Sequence, residues 1–291
     1  MSRLDPLAFR RSFESLLDPA DEVVVVYSGI WTFGHQFGLP IMDVPAMLIE
    51  TMLEAVGPDR TLMLPAYTYA YAGTRSYSPR HSVPETGVLP QTCLRLFDWV
   101  RTGSALNSFL CAGPRARDLV RIRGETLWGE DSLKGALEKT RARMITLGIP
   151  WKDSLGYLHR IEEKAQVPYR YYKTFNGEWV DESGTQPWKE TMYVRSMDLM
   201  PVFVWSRVDR LLRERNRIRK GGLATFMESA DAADIVAAGM EILADDPYAM
   251  LENDEDVRHW VLRHRAEEMN ALRAREPAAL EYQDRLYAGG N

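Results

Sequence analysis

The chain alternates short apolar runs with longer stretches of helical periodicity. Val23–Val26 is a run of four valines, which is too short for a free-standing helix and predicts a strand buried on both faces of a sheet. Asp43 can cap a helix that continues to about Val56, and Thr61–Pro65 predicts the next strand. A strand, a crossover helix and a second strand form a right-handed unit. The loops after both strands should therefore lie at the same, carboxyl edge of the sheet.

The same alternation continues along the rest of the chain. Residues 66–90 are rich in Tyr, Ser, Pro and Gly and predict a long irregular loop of the kind that shapes a site. Residues 172–206 predict an antiparallel insertion with a turn at Asn176-Gly177. Further strands are predicted at 108–112 and 142–147, and helices at 91–101, 133–139, 211–220, 231–244 and 254–275.

The last part of the chain is predicted to be helical and separate from the main body. We expect one α/β domain over residues 1–248 and a helical extension over residues 249–291 packed on it. An apolar stripe of Val257, Trp260 and Val261 is the face expected to make that contact.

The amino-acid composition and net charge of the chain limit the kinds of molecule that it is expected to bind. The formal net charge of -5 and a pI of about 5.7 argue against nucleic acid or an anionic membrane as the main partner and favour a cationic small molecule. No apolar run approaches the ~20 residues of a membrane span, and the charged N-terminus does not resemble a signal peptide, so we expect a cytoplasmic protein. Cys93 and Cys111 lack metal-ligand spacing, as do His35 and His81, so no metal site is expected.

The strongest candidate for chemistry is the pair His159 and Glu162. On a helix, side chains three residues apart share one face, so the carboxylate can hold the imidazole in the tautomer whose other nitrogen accepts a proton. That is the geometry of an oriented general base. A lone histidine is more often a buried, hydrogen-bonded residue, but the neighbouring acid and the Val167-Pro-Tyr-Arg170 sequence that follows favour catalysis.

This segment resembles the aminoglycoside 3-N-acetyltransferase family, in which a helix carrying His-x-x-Glu is followed by Val-Pro-Tyr-Arg at the same spacing. Other pieces are similar in the same order along the chain: Gly57-Pro58-Asp59-Arg60-Thr61-Leu62, Thr86-Gly87-Val88-Leu89-Pro90-Gln91, Gly129-Glu130-Asp131-Ser132-Leu133 and Gly221-Gly222-Leu223-Ala224. The resemblance implies the antibiotic N-acetyltransferase fold, a three-layer α/β sandwich with a largely parallel central sheet, unrelated to the GNAT acetyltransferases.

The resemblance also implies an activity and a set of site residues. It implies a coenzyme-A-dependent N-acyltransferase, most simply an N-acetyltransferase acting on an amino sugar, an aminoglycoside-like molecule or a related amine. His159 would be the base and Glu162 its partner. The loops matching the family's acetyl-CoA edge contain Ser28, Gly29, Asn107 and Ser108, and backbone N–H groups around Gly29 and Ser108 would stabilise the oxyanion. Tyr67 and Asp153 are candidates for binding the acceptor.

The chain departs from the family in the donor loops. Tyr27-Ser28-Gly29 stands where the family usually has His-Ser-Ser, and Ser104 and Asn107 stand where it has histidines. These changes keep two alternatives open: another acyl donor, such as a different acyl-CoA or a carrier-protein thioester, or a catalytically idle descendant that binds a small molecule or a partner. A homodimer is also compatible with the sequence.

Overall fold

The computed structural model describes residues 4–32, 37, 39–151, 157–223 and 227–288. The strands of its main sheet are β1 Val23–Ser28, β2 Thr61–Pro65, β4 Val100–Arg101, β5 Phe109–Ala112, β6 Arg143–Leu147, β9 Arg219–Lys220 and β10 Met227–Asp231. The smaller sheet contains β3 Ser76–Tyr77, β7 Arg170–Asp181 and β8 Gly184–Arg195. The helices are α1 Pro6–Glu14, α2 Val44–Val56, α3 Tyr71–Thr74, α4 Val88–Leu96, α5 Ala116–Leu119, α6 Leu133–Lys139, α7 Leu158–Lys164, α8 Ser206–Glu214, α9 Ala232–Leu243, α10 Asp254–Arg275 and α11 Glu281–Ala288, with 3-10 turns at Ile30–Thr32 and Pro277–Leu280.

The seven strands of the main sheet lie in the order β4-β5-β2-β1-β6-β10-β9. β1 is parallel to β2 and to β6, which confirms the predicted strand–helix–strand unit. The outer strands join antiparallel, so the sheet is parallel only across its three central strands and is more mixed than predicted. One cause is connection length: residues 102–108 join β4 to β5 and are too few for the crossover that a parallel pair requires.

Helices cover both faces of the main sheet, as a three-layer sandwich requires. On one face, Val24 and Val26 pack with residues of α1, α2 and α4 in one apolar cluster. On the other face, Val23 and Val25 pack with residues of α6, α7 and α9 in a second cluster. The valine run is buried on both sides because alternate side chains of a strand point to opposite faces.

The predicted antiparallel insertion is a long hairpin, but its turn lies elsewhere. Strands β7 and β8 pair along their full length, and the turn joins Asp181 to Gly184, which has φ of +119°. The predicted turn at Asn176-Gly177 was wrong, because both residues lie within β7. Gly177 is needed there for close approach, since a Cβ atom would lie 2.3 Å from the carbonyl oxygen of Arg75.

The helix predicted over residues 211–220 also has different bounds. α8 begins at Ser206 and ends at Glu214, and Asn216 then adopts φ of +54°, which a continuing helix does not allow. Arg219 and Lys220 instead form β9 at the edge of the main sheet.

The C-terminal helices pack on the rest of the chain. Val257 is fully buried, and Trp260 and Val261 lie against the second apolar cluster. The amide N–H of Tyr172 in β7 donates to the side-chain oxygen of Gln283 in α11. None of the helices in the described ranges combines the length and apolar character needed to cross a bilayer.

Candidate active site

A cavity of about 400 Å³ opens at the carboxyl edge of the main sheet, where β1 and β2 end. Both strand ends, the loop after β2, α7 and the segment before α8 contribute to it, and its lining is Val26, Tyr27, Ser28, Leu64, Pro65, Tyr67, Tyr69, Thr86, Pro90, Ile149, His159, Phe203 and Trp205. Ligands commonly bind at this edge of parallel strands. The predicted base His159 therefore lies at the edge of the sheet where this kind of fold is expected to bind a ligand.

The apolar side of helix α7 packs against the body of the protein and so places His159 at the cavity. Leu158 and Ile161 are fully buried, and Ile161 packs against Gly239 of α9. A Cβ atom on Gly239 would lie 2.4 Å from Cδ1 of Ile161, so the glycine permits this close helix contact. On the other side, the Trp128 and His159 ring centroids are 4.8 Å apart. Packing thus holds the imidazole in place.

One carboxylate oxygen organises the polar groups of α7. Oε2 of Glu162 lies 2.7 Å from Nδ1 of His159 and 2.8 Å from Nη2 of Arg170. The side chains of Glu162 and Arg170 are buried, whereas 33% of the His159 side chain is exposed. An ionised carboxylate can only accept hydrogen bonds, so Nδ1 carries the proton that it donates to Glu162. Nε2 is then the nitrogen without a proton.

The protonation states agree with this geometry. Burial and, second, the Arg170 guanidinium lower the pKa of His159 below its ordinary value. Burial alone would raise the pKa of Glu162, but the Arg170 charge and the hydrogen bond to His159 lower it overall. Near pH 7 the pair is thus a neutral imidazole beside a carboxylate. Such a pair can accept a proton at Nε2 and stabilise the imidazolium that results.

Comparison with known proteins identifies the family. The family model described as aminoglycoside 3-N-acetyltransferase matches residues 35–244, which is most of the chain. The chain belongs to this family. A search of curated protein sequences found no match.

Solved structures of aminoglycoside acetyltransferases share the fold at low sequence identity. The AAC(3)-IVa apoenzyme is 21% identical, with a TM-score of 0.65 over 89% of this chain and 98% of its own. AAC-IIIb, solved as a binary complex with CoASH, is 19% identical, with a TM-score of 0.70 over 84% and 97%. Sisomicin-bound AAC-VIa is also 19% identical, with a TM-score of 0.69 over 84% and 99%. The acetyltransferase fold predicted from the sequence is thereby confirmed.

Of the donor-loop residues predicted for this family member, Ser28 lies at the cavity, as does the acceptor candidate Tyr67. Gly29 follows directly, and a Cβ atom there would lie 2.5 Å from Cγ2 of Ile149. The Gly29 N–H donates to the carbonyl oxygen of Leu147 at 2.9 Å. The Gly29 amide thus completes the sheet, and an oxyanion donor around Gly29 or Ser108 stays a prediction.

The structure does not bring Asn107 and Ser108 to the same cavity. Ser108 is fully buried, and its hydroxyl donates to the carbonyl oxygen of Ala66 at 2.5 Å. Asn107 donates to the carbonyl oxygen of Leu127 and lines a different cavity of about 220 Å³, together with Glu190. The predicted donor loops are therefore separated, and only the loop after β1 faces His159.

Of the two other acids close to the base in sequence, the structure describes one. Asp153, the candidate acid for the acceptor, lies outside the described residues. Glu163, the neighbour of Glu162, is 4% exposed and accepts a hydrogen bond from Thr126. Burial raises the pKa of Glu163 to about 7.

Several cavity groups had no clear sequence signal. Lys134 is completely buried behind the cavity, and its Nζ lies 2.9 Å from the Tyr27 hydroxyl and 3.4 Å from the Tyr67 hydroxyl. Burial lowers its pKa to about 7. Phe203 and Trp205 stack with ring centroids 4.7 Å apart and form one wall. A lysine in a short helix predicts a surface residue, so only the three-dimensional packing reveals Lys134.

Proposed function

We propose that this family member is a coenzyme-A-dependent N-acetyltransferase that acts on an amine of a small molecule, with His159 as general base. The observation that carries the proposal is the shared contact of Glu162 with His159 and Arg170 at the edge of the cavity. The contact sets the tautomer of the ring, and the ionised carboxylate favours the imidazolium that forms when the ring takes a proton.

The proposed reaction requires a base because the amine must be deprotonated to attack the thioester. Near pH 7 an aliphatic amine is largely protonated and cannot attack until it loses a proton. The ammonium group first loses one proton to solvent, and Nε2 of His159 then takes a second proton from the nitrogen as the nitrogen bonds to the thioester carbonyl carbon. The tetrahedral intermediate then loses the thiolate, which takes the proton back from His159. The products are an amide and the free thiol, and the base returns to its starting state.

Acetyl-CoA is the proposed donor, and Ser28 is the cavity residue proposed to contact it. A solved relative of the same fold is a binary complex with CoASH, which supports a donor of this kind. Gly29, Asn107 and Ser108 remain predicted donor residues. Another acyl-CoA or a carrier-protein thioester is the alternative, and the altered loop at Tyr27 motivates testing it.

An amino sugar or an aminoglycoside-like amine is the proposed acceptor. Solved relatives are complexes with sisomicin, a gentamicin and apramycin. The cavity offers five aromatic side chains, namely Tyr27, Tyr67, Tyr69, Phe203 and Trp205. Aromatic faces pack against the apolar faces of sugar rings and attract ammonium groups. Asp153 remains the acid proposed to bind a second amine.

A screen of amines against acyl donors tests the proposal. Purified protein is incubated with acetyl-CoA or longer acyl-CoAs and with aminoglycosides, amino sugars and simpler amines, and acylated products are detected by mass spectrometry. We expect acetylation of at least one amine and loss of that product with His159→Ala. The matched control is His81→Ala, which removes an exposed histidine that does not line the cavity. Absence of product from every pair would refute the proposal.

A further inference from the structure

Lys134, Tyr27 and Tyr67 form a second polar cluster beside the cavity, and the role proposed for His159 does not involve it. Nζ of Lys134 is 2.9 Å from the Tyr27 hydroxyl and 3.4 Å from the Tyr67 hydroxyl. Tyr27 and Tyr67 line the same cavity as His159, while Lys134 is fully buried. The base accounts for none of these contacts.

Burial disfavours the ammonium form of Lys134, but the surrounding aromatic rings attract that form, which below about pH 7 donates to Tyr27. Nζ lies 5.0 to 5.9 Å from the ring centroids of Tyr27, Tyr67, Phe109 and Tyr157. Aromatic faces attract a cation, and a desolvated contact of this kind is stronger than an exposed one. An ammonium group has three protons to donate and no lone pair to accept with.

The hydrogen bonds at the Tyr27 hydroxyl indicate where its own proton can be donated. The Tyr27 oxygen accepts a hydrogen bond from Lys134, and burial raises the Tyr27 pKa, so the hydroxyl keeps its proton. A phenolic oxygen that accepts a hydrogen bond still has one proton to donate. Because Tyr27 lines the cavity, that proton is available to an atom bound there. Tyr27 can thus offer a polarised hydrogen-bond donor to a bound molecule. The Gly29 amide cannot, because it already donates to the carbonyl oxygen of Leu147.

We propose that the Tyr27 hydroxyl donates a hydrogen bond to the carbonyl oxygen of the acyl thioester, with Lys134 as the residue that positions and polarises it. This inference rests on the proposed function. It assigns a hydrogen-bond donor to the thioester carbonyl, in addition to the general base for the amine. When the amine nitrogen bonds to the carbonyl carbon, the carbonyl electron pair moves to oxygen and the Tyr27 hydrogen bond strengthens. When the C–S bond breaks, that pair returns and the tyrosine keeps its proton throughout.

The test reads the bound carbonyl directly. Acetyl-CoA labelled with ¹³C at the carbonyl is bound to wild-type protein, Tyr27→Phe, Lys134→Met and Tyr71→Phe, and difference infrared spectra record the carbonyl stretch. The measurement is made at about pH 6, below the pKa of Lys134, so that the lysine is charged. Tyr71→Phe is the matched control, since it removes a buried hydroxyl that bonds the carbonyl oxygen of Phe175 outside the cavity lining.

We expect a lower carbonyl frequency in wild type and Tyr71→Phe than in Tyr27→Phe, with Lys134→Met in between. Loss of one oxyanion donor typically lowers kcat by ~10²–10³-fold, so Tyr27→Phe should fall by about that factor with little change in the acetyl-CoA KM. Calorimetry shows whether each variant binds acetyl-CoA, and thermal unfolding shows whether it is folded.

The outcomes separate the two proposals. Wild type and Tyr27→Phe that bind acetyl-CoA with the same carbonyl frequency would overturn this inference and leave the proposed function standing. Wild type that does not bind acetyl-CoA would overturn the acetyl-CoA donor and this inference together. A lower frequency restricted to proteins with the Tyr27 hydroxyl would support it. Lys134→Met with the wild-type frequency and kcat would refute the role of the lysine alone.

Discussion

Replacing Glu162 by glutamine removes the charge beside His159 while keeping its hydrogen bonds. Oε2 of Glu162 contacts both Nδ1 of His159 and Nη2 of Arg170. A guanidinium can only donate, so the amide oxygen of glutamine should occupy the Oε2 position and accept from both partners. Nδ1 keeps its proton and Nε2 remains basic. The substitution therefore isolates the electrostatic contribution of the carboxylate.

The magnitude follows from the separation of the charges. Two unit charges 4 Å apart interact by ~4 kcal/mol at an effective dielectric constant of ~20. The imidazolium of His159 loses this attraction in Glu162→Gln, while Arg170 remains 3.1 Å from Nδ1. Solvent screens part of the effect because 33% of the His159 side chain is exposed. We expect a loss of ~2 kcal/mol, which is about 30-fold in kcat.

The assay is the rate of thiol release from acetyl-CoA across a pH series, with an amine identified by the screen. Without the carboxylate, the Arg170 charge is no longer offset, so the pKa of His159 should fall further. The acidic limb of kcat/KM should then move to lower pH while the plateau drops. Glu163→Gln is the matched control: it changes the adjacent buried acid, whose hydrogen bond is to Thr126, and should keep the limb in place and the rate within about twofold.

Two results would contradict the reasoning. A Glu162→Gln protein with the rate and the acidic limb of wild type would refute a role for the carboxylate. A lower plateau with an unmoved limb would show that the substitution disturbs positioning rather than charge.

Three further predictions concern the base, the donor and the packing of α7. His159→Ala should reduce acetyl transfer by ~10²–10⁴-fold without changing the unfolding temperature, and activity within about threefold of wild type would remove the residue from the mechanism. Coenzyme A at about 100 times its Kd should stabilise the protein by ~2.7 kcal/mol in thermal or denaturant unfolding, whereas no stabilisation at millimolar concentration would favour a carrier-protein donor. Gly239→Ala should cost ~1–3 kcal/mol of stability, because the new Cβ lies 2.4 Å from Cδ1 of Ile161. Adding Ile161→Val removes that atom and should recover part of the loss; no recovery would place the strain elsewhere.

The sequence by itself determined the fold class and several of the local elements. The four valines of β1 predict a strand buried on both faces because nothing polar interrupts them, and both apolar clusters bear this out. The ordered motifs were enough to predict the family. The spacing of His159 and Glu162 predicted their contact, since a helix places residues three apart on one face whatever surrounds it.

Contacts between distant segments were decided only by the tertiary structure. Arg170 reaches Glu162 because the start of β7 returns to α7, and Lys134 meets Tyr27 because α6 packs over the end of β1. The Asn176-Gly177 turn signal was overridden because these residues pair within the long hairpin and Arg75, just before β3, approaches β7 at Gly177. Ser108 resembled a donor-loop residue in sequence, yet its hydroxyl is buried against Ala66. Local sequence limits which backbone conformations are favourable, but burial and hydrogen-bond partners depend on which distant segments pack together.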